Sequence, residues 1–250
     1  MILSKNPWKK GFPKSGIQSD EIHVWRWPID ISDSQVEDFW RVLSPKEREK
    51  AGKFFFEKDR MRFIASRGTL RHILGIYLNE NPGQIQFDYT AFGKPILKSD
   101  SNYQKYYFNL SHSENLALFA ITGNGHIGID LEYIRYDVDI ESIISRFFSE
   151  REIHMIQRYI GEKQQEVFFQ FWTRKEAFLK ATGKGLSFPL ENCDVSLAEE
   201  SKFSQVIIPK ELEGEFTLYV KDLEAVSGYK AAIVAGKADC MLSFWDFDLQ

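Results

Sequence analysis

One order of elements occurs twice along this chain: a strand, a helix, a pair of helices, then several short strands. In the first half "HVWRWPID" alternates as a strand, and "DSQVEDFWRVLS" places Val36, Phe39, Trp40 and Leu43 at helical spacing. "SPKEREKAGKFF" then opens with a helix-start signal, Ser44 and Pro45 followed by Glu47. "RFIASRGTLRHILGIYL" continues as helix with Gly68 as its weak point, and "IQFDYT", "KPIL", "YYFNLS" and "LALFAIT" read as strands. In the second half "IGIDLEYI" is a strand, "DIESIISRFF" a helix and "SEREIHMIQRYIGEKQQEVFFQFWTRKEAFLKAT" a helical hairpin. "CDVSL", "EFTLYV", "YKAAIVA" and "MLSFWDF" follow as strands.

The parallel reaches residue level. "SPKERE" resembles "SEREI", "SRGTLRHILG" resembles "TRKEAFLKATG", and the interval from Ser44 to Ser66 is close to that from Ser149 to Thr173. Helical hairpins also look alike by chance, so the pattern alone leaves duplication and coincidence both open. Duplication implies an α+β fold of two similar halves related by a pseudo-twofold axis, with the active site in the cleft between them. On that reading residues 1–20 form an N-terminal extension, 21–124 the first half and 125–250 the second.

Composition narrows the partners. A chain that is 43% hydrophobic and 15% aromatic has enough apolar side chain for a well-filled core, so broad disorder is excluded. The net charge of −4 argues against nucleic acid as a partner. Charge is uneven, however: Lys46 to Arg71 holds nine basic and four acidic residues, a local excess of +5. The start, "MILSKNPWKKGFPKSG", has no apolar stretch of signal-peptide length, and no run of about 18 apolar residues occurs. A cytoplasmic protein without a membrane partner is expected. Cys193 and Cys240 lack CxxC partners or a nearby histidine, which suggests structural thiols and no zinc site.

Several motifs carry chemistry. "GNGHIG" matches GxGxxG literally, but a strand follows where a dinucleotide fingerprint needs a helix, so a hairpin turn is expected there. "GKG" at 183–185 lacks the frame of a phosphate loop. In "GIDLE", alternation puts Asp130 and Glu132 on one strand face and Ile129 and Leu131 on the other. Paired carboxylates often serve only solubility on an edge strand, but the apolar flank "HIGI" suggests a central strand opening on a cleft. Hard oxygens at that spacing suit Mg²⁺. In "FWTRKEAFLKATGKGLSFPL", Trp172, Glu176, Leu179 and Gly183 share a broad helix face, and Glu176 with Lys180 makes an i,i+4 pair. Such a pair is ordinarily a solvated salt bridge worth about 0.2–0.5 kcal/mol, yet the preceding "VFFQFW" argues for a buried helix. Ser111 and His112 in "FNLSHS" point oppositely and form no dyad; phosphate hydrogen bonding is the functional reading and turn chemistry the bland one. Lys94 sits in the Gly-Pro turn "FGKP".

Five pieces in register, "FGKP", "FNLSHS", "IGIDLE", "FFSERE" and "FWTRKEAFLKATGKGLS", resemble the 4'-phosphopantetheinyl transferases, specifically the larger pseudodimeric, surfactin-synthetase-activating type. The resemblance covers most of the chain; residues 1–20 match nothing in it. It implies coenzyme A as substrate, Mg²⁺ as cofactor and an internal pseudodimer that works as a monomer. Asp130, Glu132 and Glu176 are implied to approach the metal, Lys180 and Lys175 to face the diphosphate or pantetheine arm, and Lys94, Ser111 and His112 to contact the nucleotide and its phosphates. Lys50 and Arg62 in the basic segment would hold the 3'-phosphate; here "SPKEREK" exchanges Lys46 and Glu47 relative to the family pattern. The implied reaction transfers the 4'-phosphopantetheine arm to a serine of an apo acyl or peptidyl carrier protein and releases 3',5'-ADP. Lys180 would stabilise the leaving group, and Glu176, or a metal-held water oriented by it, would take the serine proton. Carrier docking is expected near Lys184. A Mg²⁺-dependent phosphohydrolase and a non-catalytic coenzyme A or carrier-binding module are the competing readings.

Overall fold

The computed structural model describes residues 7–13, 16–98, 106–185, 188–197, 202–208, 217–224 and 226–249. Its first half comprises β1 (Trp8–Lys10), β2 (Glu21–Pro28), α1 (Asp33–Val42), α2 (Pro45–Gly52), α3 (Glu57–Leu78), β3 (Phe87–Tyr89), β4 (Pro95–Leu97), β5 (Tyr107–Ser113) and β6 (Leu116–Thr122). The remainder comprises β7 (Ile127–Tyr133), α4 (Ile140–Phe147), α5 (Glu150–Gln157), α6 (Gly161–Thr182), β8 (Ser204–Gln205), β9 (Tyr219–Leu223), β10 (Tyr229–Ala235) and β11 (Met241–Asp246).

Alternation along β2 and β7 sorts these elements into layers. One sheet has the order β1-β11-β2-β6-β5 and the other β7-β10-β9-β8, with β3 and β4 as a separate pair. Ile22 and Val24 of β2 meet Ile127, Ile129 and Leu131 of β7 in an apolar layer between the sheets. The opposite faces carry the helices: Trp25 and Trp27 pack with Leu70, Ile73 and Leu74 of α3, while Ala232 and Val234 pack with Phe168, Ala177 and Phe178 of α6. Asp130 and Glu132 therefore share the α6 side of β7, because Ile129 and Leu131 are committed to the inter-sheet layer.

The two halves repeat one buried device. α2 and α5 each begin with a serine capping box, Ser44 with Glu47 and Ser149 with Glu152. Both glutamates turn inward, at 2% and 0% exposure. Glu47 Oε2 lies 2.7 Å from Arg71 Nη2, and Glu152 Oε2 lies 2.7 Å from Lys175 Nζ. Arg71 and Lys175 are each the fifteenth residue of a 22-residue helix. Each cation also donates to two carbonyls around a 3-10 turn: Arg71 to Pro82 and Ile85, Lys175 to Leu190 and Cys193. Matching elements, lengths and partners mark the halves as copies of one unit. The correspondence also corrects the register read from sequence: if Arg71 matches Lys175, Ser66 matches Gln170, not Thr173.

Four local expectations change. Gly68 does not weaken α3, because Phe39 packs where its side chain would be; an added Cβ would lie 2.5 Å from that ring. "GNGHIG" is not a hairpin: β6 and β7 belong to different sheets, and the turn passes the chain from one to the other. "CDVSL" forms no strand, only a bridge from Asp194 to Ile207. β11, from the C-terminal end, runs parallel to β2 inside the first sheet, and β1 extends it at the edge.

Gly128 sets how closely α6 approaches β7. A Cβ there would collide with the carbonyl oxygen of Ala177 and lie 2.5 Å from Ala181 N, both backbone atoms that cannot yield alone. Gly128→Ala is expected to destabilise the fold by about 1–3 kcal/mol or more through overpacking, a loss that urea denaturation would read directly.

Candidate active site

β7 is an edge strand of its own sheet, contrary to the central position expected from its apolar flank. Alternate side chains of β5 cover its open edge. Asn109 Oδ1 accepts from Ile129 N at 2.8 Å, Ser111 Oγ donates to Asp130 Oδ1 at 2.8 Å, and Ser113 Oγ accepts from Tyr133 N at 3.0 Å while donating to Glu132 Oε2 at 2.9 Å. Asn109 and Ser113 were legible only as turn formers; their alternation with Ser111 on one strand face was the signal for this role.

Lys180 closes the cluster from α6. Its Nζ donates to Asp130 Oδ1 at 2.6 Å and to Ser111 Oγ at 2.8 Å. Ser111 is thus committed to Asp130 and Lys180, so the proton expected to reach a phosphate goes to a carboxylate. Asp130 is 2% exposed, and its Oδ2 has no hydrogen-bond partner within the protein. Glu132 and Glu176 lie in the same field. Burial and then the charge of Asp130 push Glu132 up to about 7, and the same two causes raise Glu176 while Lys180 opposes them. Three clustered carboxylates around an acceptor atom left unpaired are a donor set suited to a hard divalent cation. Among the described residues, no three carboxylate, histidine or cysteine side chains are already drawn to metal-ligand spacing.

Phe92, Lys94, Asn109, Glu176 and Lys180 help line a cavity of about 270 Å³ beside this cluster. Larger cavities, about 930 Å³ beside α2 and about 450 Å³ beside β9, are lined by none of the three carboxylates. Convergent polar groups, not volume, therefore locate the site. Lys94 Nζ donates to the carbonyls of Ile127 and Lys180, tying the β3–β4 turn to the start of β7 and the end of α6. Burial, and next the nearby charge of Lys180, lower its pKa to about 8. His112 reaches the surface, and desolvation by surrounding protein and then the charges of Lys180 and Arg62 lower its pKa from the ordinary histidine value. In the first half, Arg62 Nη2 pairs with Glu114 Oε2 at 2.6 Å. Lys50 is exposed on α2, its ammonium 5.4 Å from the Phe63 ring centre.

Lys175 requires a correction. It was expected at the diphosphate, but its side chain is 0% exposed and engaged by Glu152, Leu190 and Cys193 on the far side of α6 from Asp130. The basic segment is revised for a similar reason: Arg67 and Arg71 are buried against Glu47 and cannot serve a phosphate. Glu47, at the position exchanged with Lys46, is the buried member of the repeated device, so its acidity is a structural requirement.

The duplicated α+β fold thus brings a carboxylate and lysine cluster together where the two sheets meet. Residues 126–234 match the model of the 4'-phosphopantetheinyl transferase superfamily, and residues 27–123 match that of the 4'-phosphopantetheinyl transferase N-terminal region. The chain is 46% identical over 195 residues to 4'-phosphopantetheinyl transferase HetI of a Nostoc species, covering 78% of this chain and 82% of that one. It is 30% identical over 209 residues to 4'-phosphopantetheinyl transferase Sfp of Bacillus subtilis, covering 84% and 89%. A putative 4'-phosphopantetheinyl transferase of a Synechocystis species is 35% identical over 164 residues, covering 66% and 65%. The chain belongs to the 4'-phosphopantetheinyl transferase family and is of the Sfp-like type. Among the described residues no helix is long and apolar enough to cross a membrane.

Proposed function

We propose that this protein transfers the 4'-phosphopantetheine arm of coenzyme A to a serine of an apo acyl or peptidyl carrier protein, with Mg²⁺ as cofactor and 3',5'-ADP as the second product. The observation that carries this reading is the meeting of Asp130, Glu132 and Glu176 with Lys180 beside a cavity at the β5–β7 junction. Coenzyme A brings about four negative charges at neutral pH by ordinary phosphate ionisation. Mg²⁺, held by Asp130, Glu132 and Glu176, would supply charge neutralisation at the diphosphate.

The chain's own residues divide the remaining work. Lys180, whose side chain is 28% exposed, turns one side to the cluster and offers its charge to the leaving phosphate oxygen. Ser111 fixes Asp130. Glu176, its proton affinity raised, takes the proton as the carrier serine oxygen bonds to the phosphorus and the bond to 3',5'-ADP breaks. Lys94 and His112 flank the nucleotide side, with Arg62 and Lys50 beyond them for the 3'-phosphate. One chain contains both halves of the site, which favours a monomer; sedimentation would test it.

Incubation with coenzyme A, Mg²⁺ and an apo carrier, read by intact mass, tests the proposal. A carrier that gains one phosphopantetheine supports it. Coenzyme A cleaved without carrier modification supports a phosphohydrolase, and binding without either change supports a non-catalytic module.

A pH dependence follows from Glu132. In the folded protein it holds its proton up to about pH 7, whereas the unfolded chain loses it near pH 4.5. Between those values the folded state binds more protons, so this group's contribution to stability falls as pH rises and levels off above 7. Mg²⁺ needs the ionised carboxylate, so its rise in melting temperature is expected to be larger at pH 8 than at pH 6. Glu132→Gln should flatten that difference in differential scanning fluorimetry.

A further inference from the structure

The open edge of β7 suggests a role for a residue outside the motifs' expected chemistry. We propose that Ser113 is a positioning residue that holds the Glu132 carboxylate in the orientation needed to bind the divalent cation. The inference rests on the reading above, in which Glu132 is one of the cation's carboxylates.

A serine hydroxyl has one proton to donate and can also accept. At Ser113 the accepting side is taken by the backbone amide of Tyr133, 3.0 Å away, an amide that faces outward from an edge strand and needs a partner. The proton is thereby directed to Glu132 Oε2 at 2.9 Å. The backbone of β7 thus sets the rotation of the hydroxyl, and the hydroxyl sets the carboxylate of the preceding residue. Glu132 is a long side chain at the end of its strand, next to Tyr133, which is 43% exposed, and among the described residues the hydroxyl of Ser113 is its hydrogen-bond partner. Ser111 differs: it accepts from the Lys180 ammonium, so its hydroxyl is oriented by a side chain rather than by the backbone. Partners that orient metal-binding carboxylates are commonly worth 10- to 100-fold in metal affinity.

The test is Mn²⁺ binding by calorimetry to the full chain, without coenzyme A or carrier, for the wild type, Glu132→Gln, Ser113→Ala, Ser113→Thr and Ser113→Val. Threonine and valine are near-isosteric and both suit a strand, so they differ chiefly in the hydroxyl. Ser113→Ala and Ser113→Val are expected to weaken Mn²⁺ binding by about 10- to 100-fold, with Ser113→Thr restoring it. Thermal melts establish that each variant is folded, and if the alanine variant is not, the threonine and valine pair alone decides. Wild-type affinity in Ser113→Val, or threonine as weak as valine, overturns the role of Ser113 and leaves Glu132 standing if Glu132→Gln still weakens binding. Unchanged binding in Glu132→Gln overturns the cation reading itself.

Discussion

Glu176→Gln is expected to leave the fold intact and to lower transfer by about 10²-fold or more, the range usual for loss of a general base. The substitution preserves the shape of a half-buried side chain at the cavity wall and removes only the ability to take a proton and to carry charge beside Asp130. Burial and Asp130 raise the proton affinity of Glu176, which poises the carboxylate closer to neutral pH than a free glutamate. Single-turnover transfer to an apo carrier, with circular dichroism as the fold control, measures the effect. Transfer at a near-normal rate would rule out Glu176 as the base.

The second large effect lies away from the chemistry. Glu152→Gln should cost about 3–5 kcal/mol, because it strands the charge of Lys175 in the interior. Glu152 is saturated in the native protein: Oε2 accepts from Ser149 N and Lys175 Nζ, and Oε1 from Val195 N. One carboxylate thereby ties the start of α5, the middle of α6 and the chain after the 3-10 turn at 190–192. The double variant Glu152→Gln/Lys175→Met removes both charges and is expected to be more stable than Glu152→Gln alone, since an apolar replacement no longer buries an unpaired ion. Denaturant titration of the two variants gives the comparison. Equal stability of the single variant and the wild type would remove the pair from the account of what holds α5 to α6.

Much of the fold and site could be read along the chain. The order of elements, both capping serines and the common face of Asp130 and Glu132 depend on spacing and residue type within one element, which the sequence contains. The i,i+4 relation of Glu176 and Lys180 is likewise local, and both reach the same cluster. What spacing could not supply was the side of each element that meets a neighbour. Lys175 and Lys180 are five residues apart, which on a helix turns them about 140° from each other. Both cannot face one cluster, and only the packing of α6 on β7 shows that Lys180 is the one that meets Asp130.

The same limit explains the other revisions. Glu47 and Arg71 are far apart in sequence and look like parts of a basic surface, yet helix packing buries both. Asn109 and Ser113 read as turn residues until the edge of β7 supplies the amides they bond. By itself, the sequence determined which residue types the site contains and which of them share a strand or helix face, since those follow from the pitch of helix and strand. The tertiary structure alone decided which lysine meets the carboxylates, which glutamates are buried as supports and which strand covers β7, because each depends on contacts between residues remote in the chain.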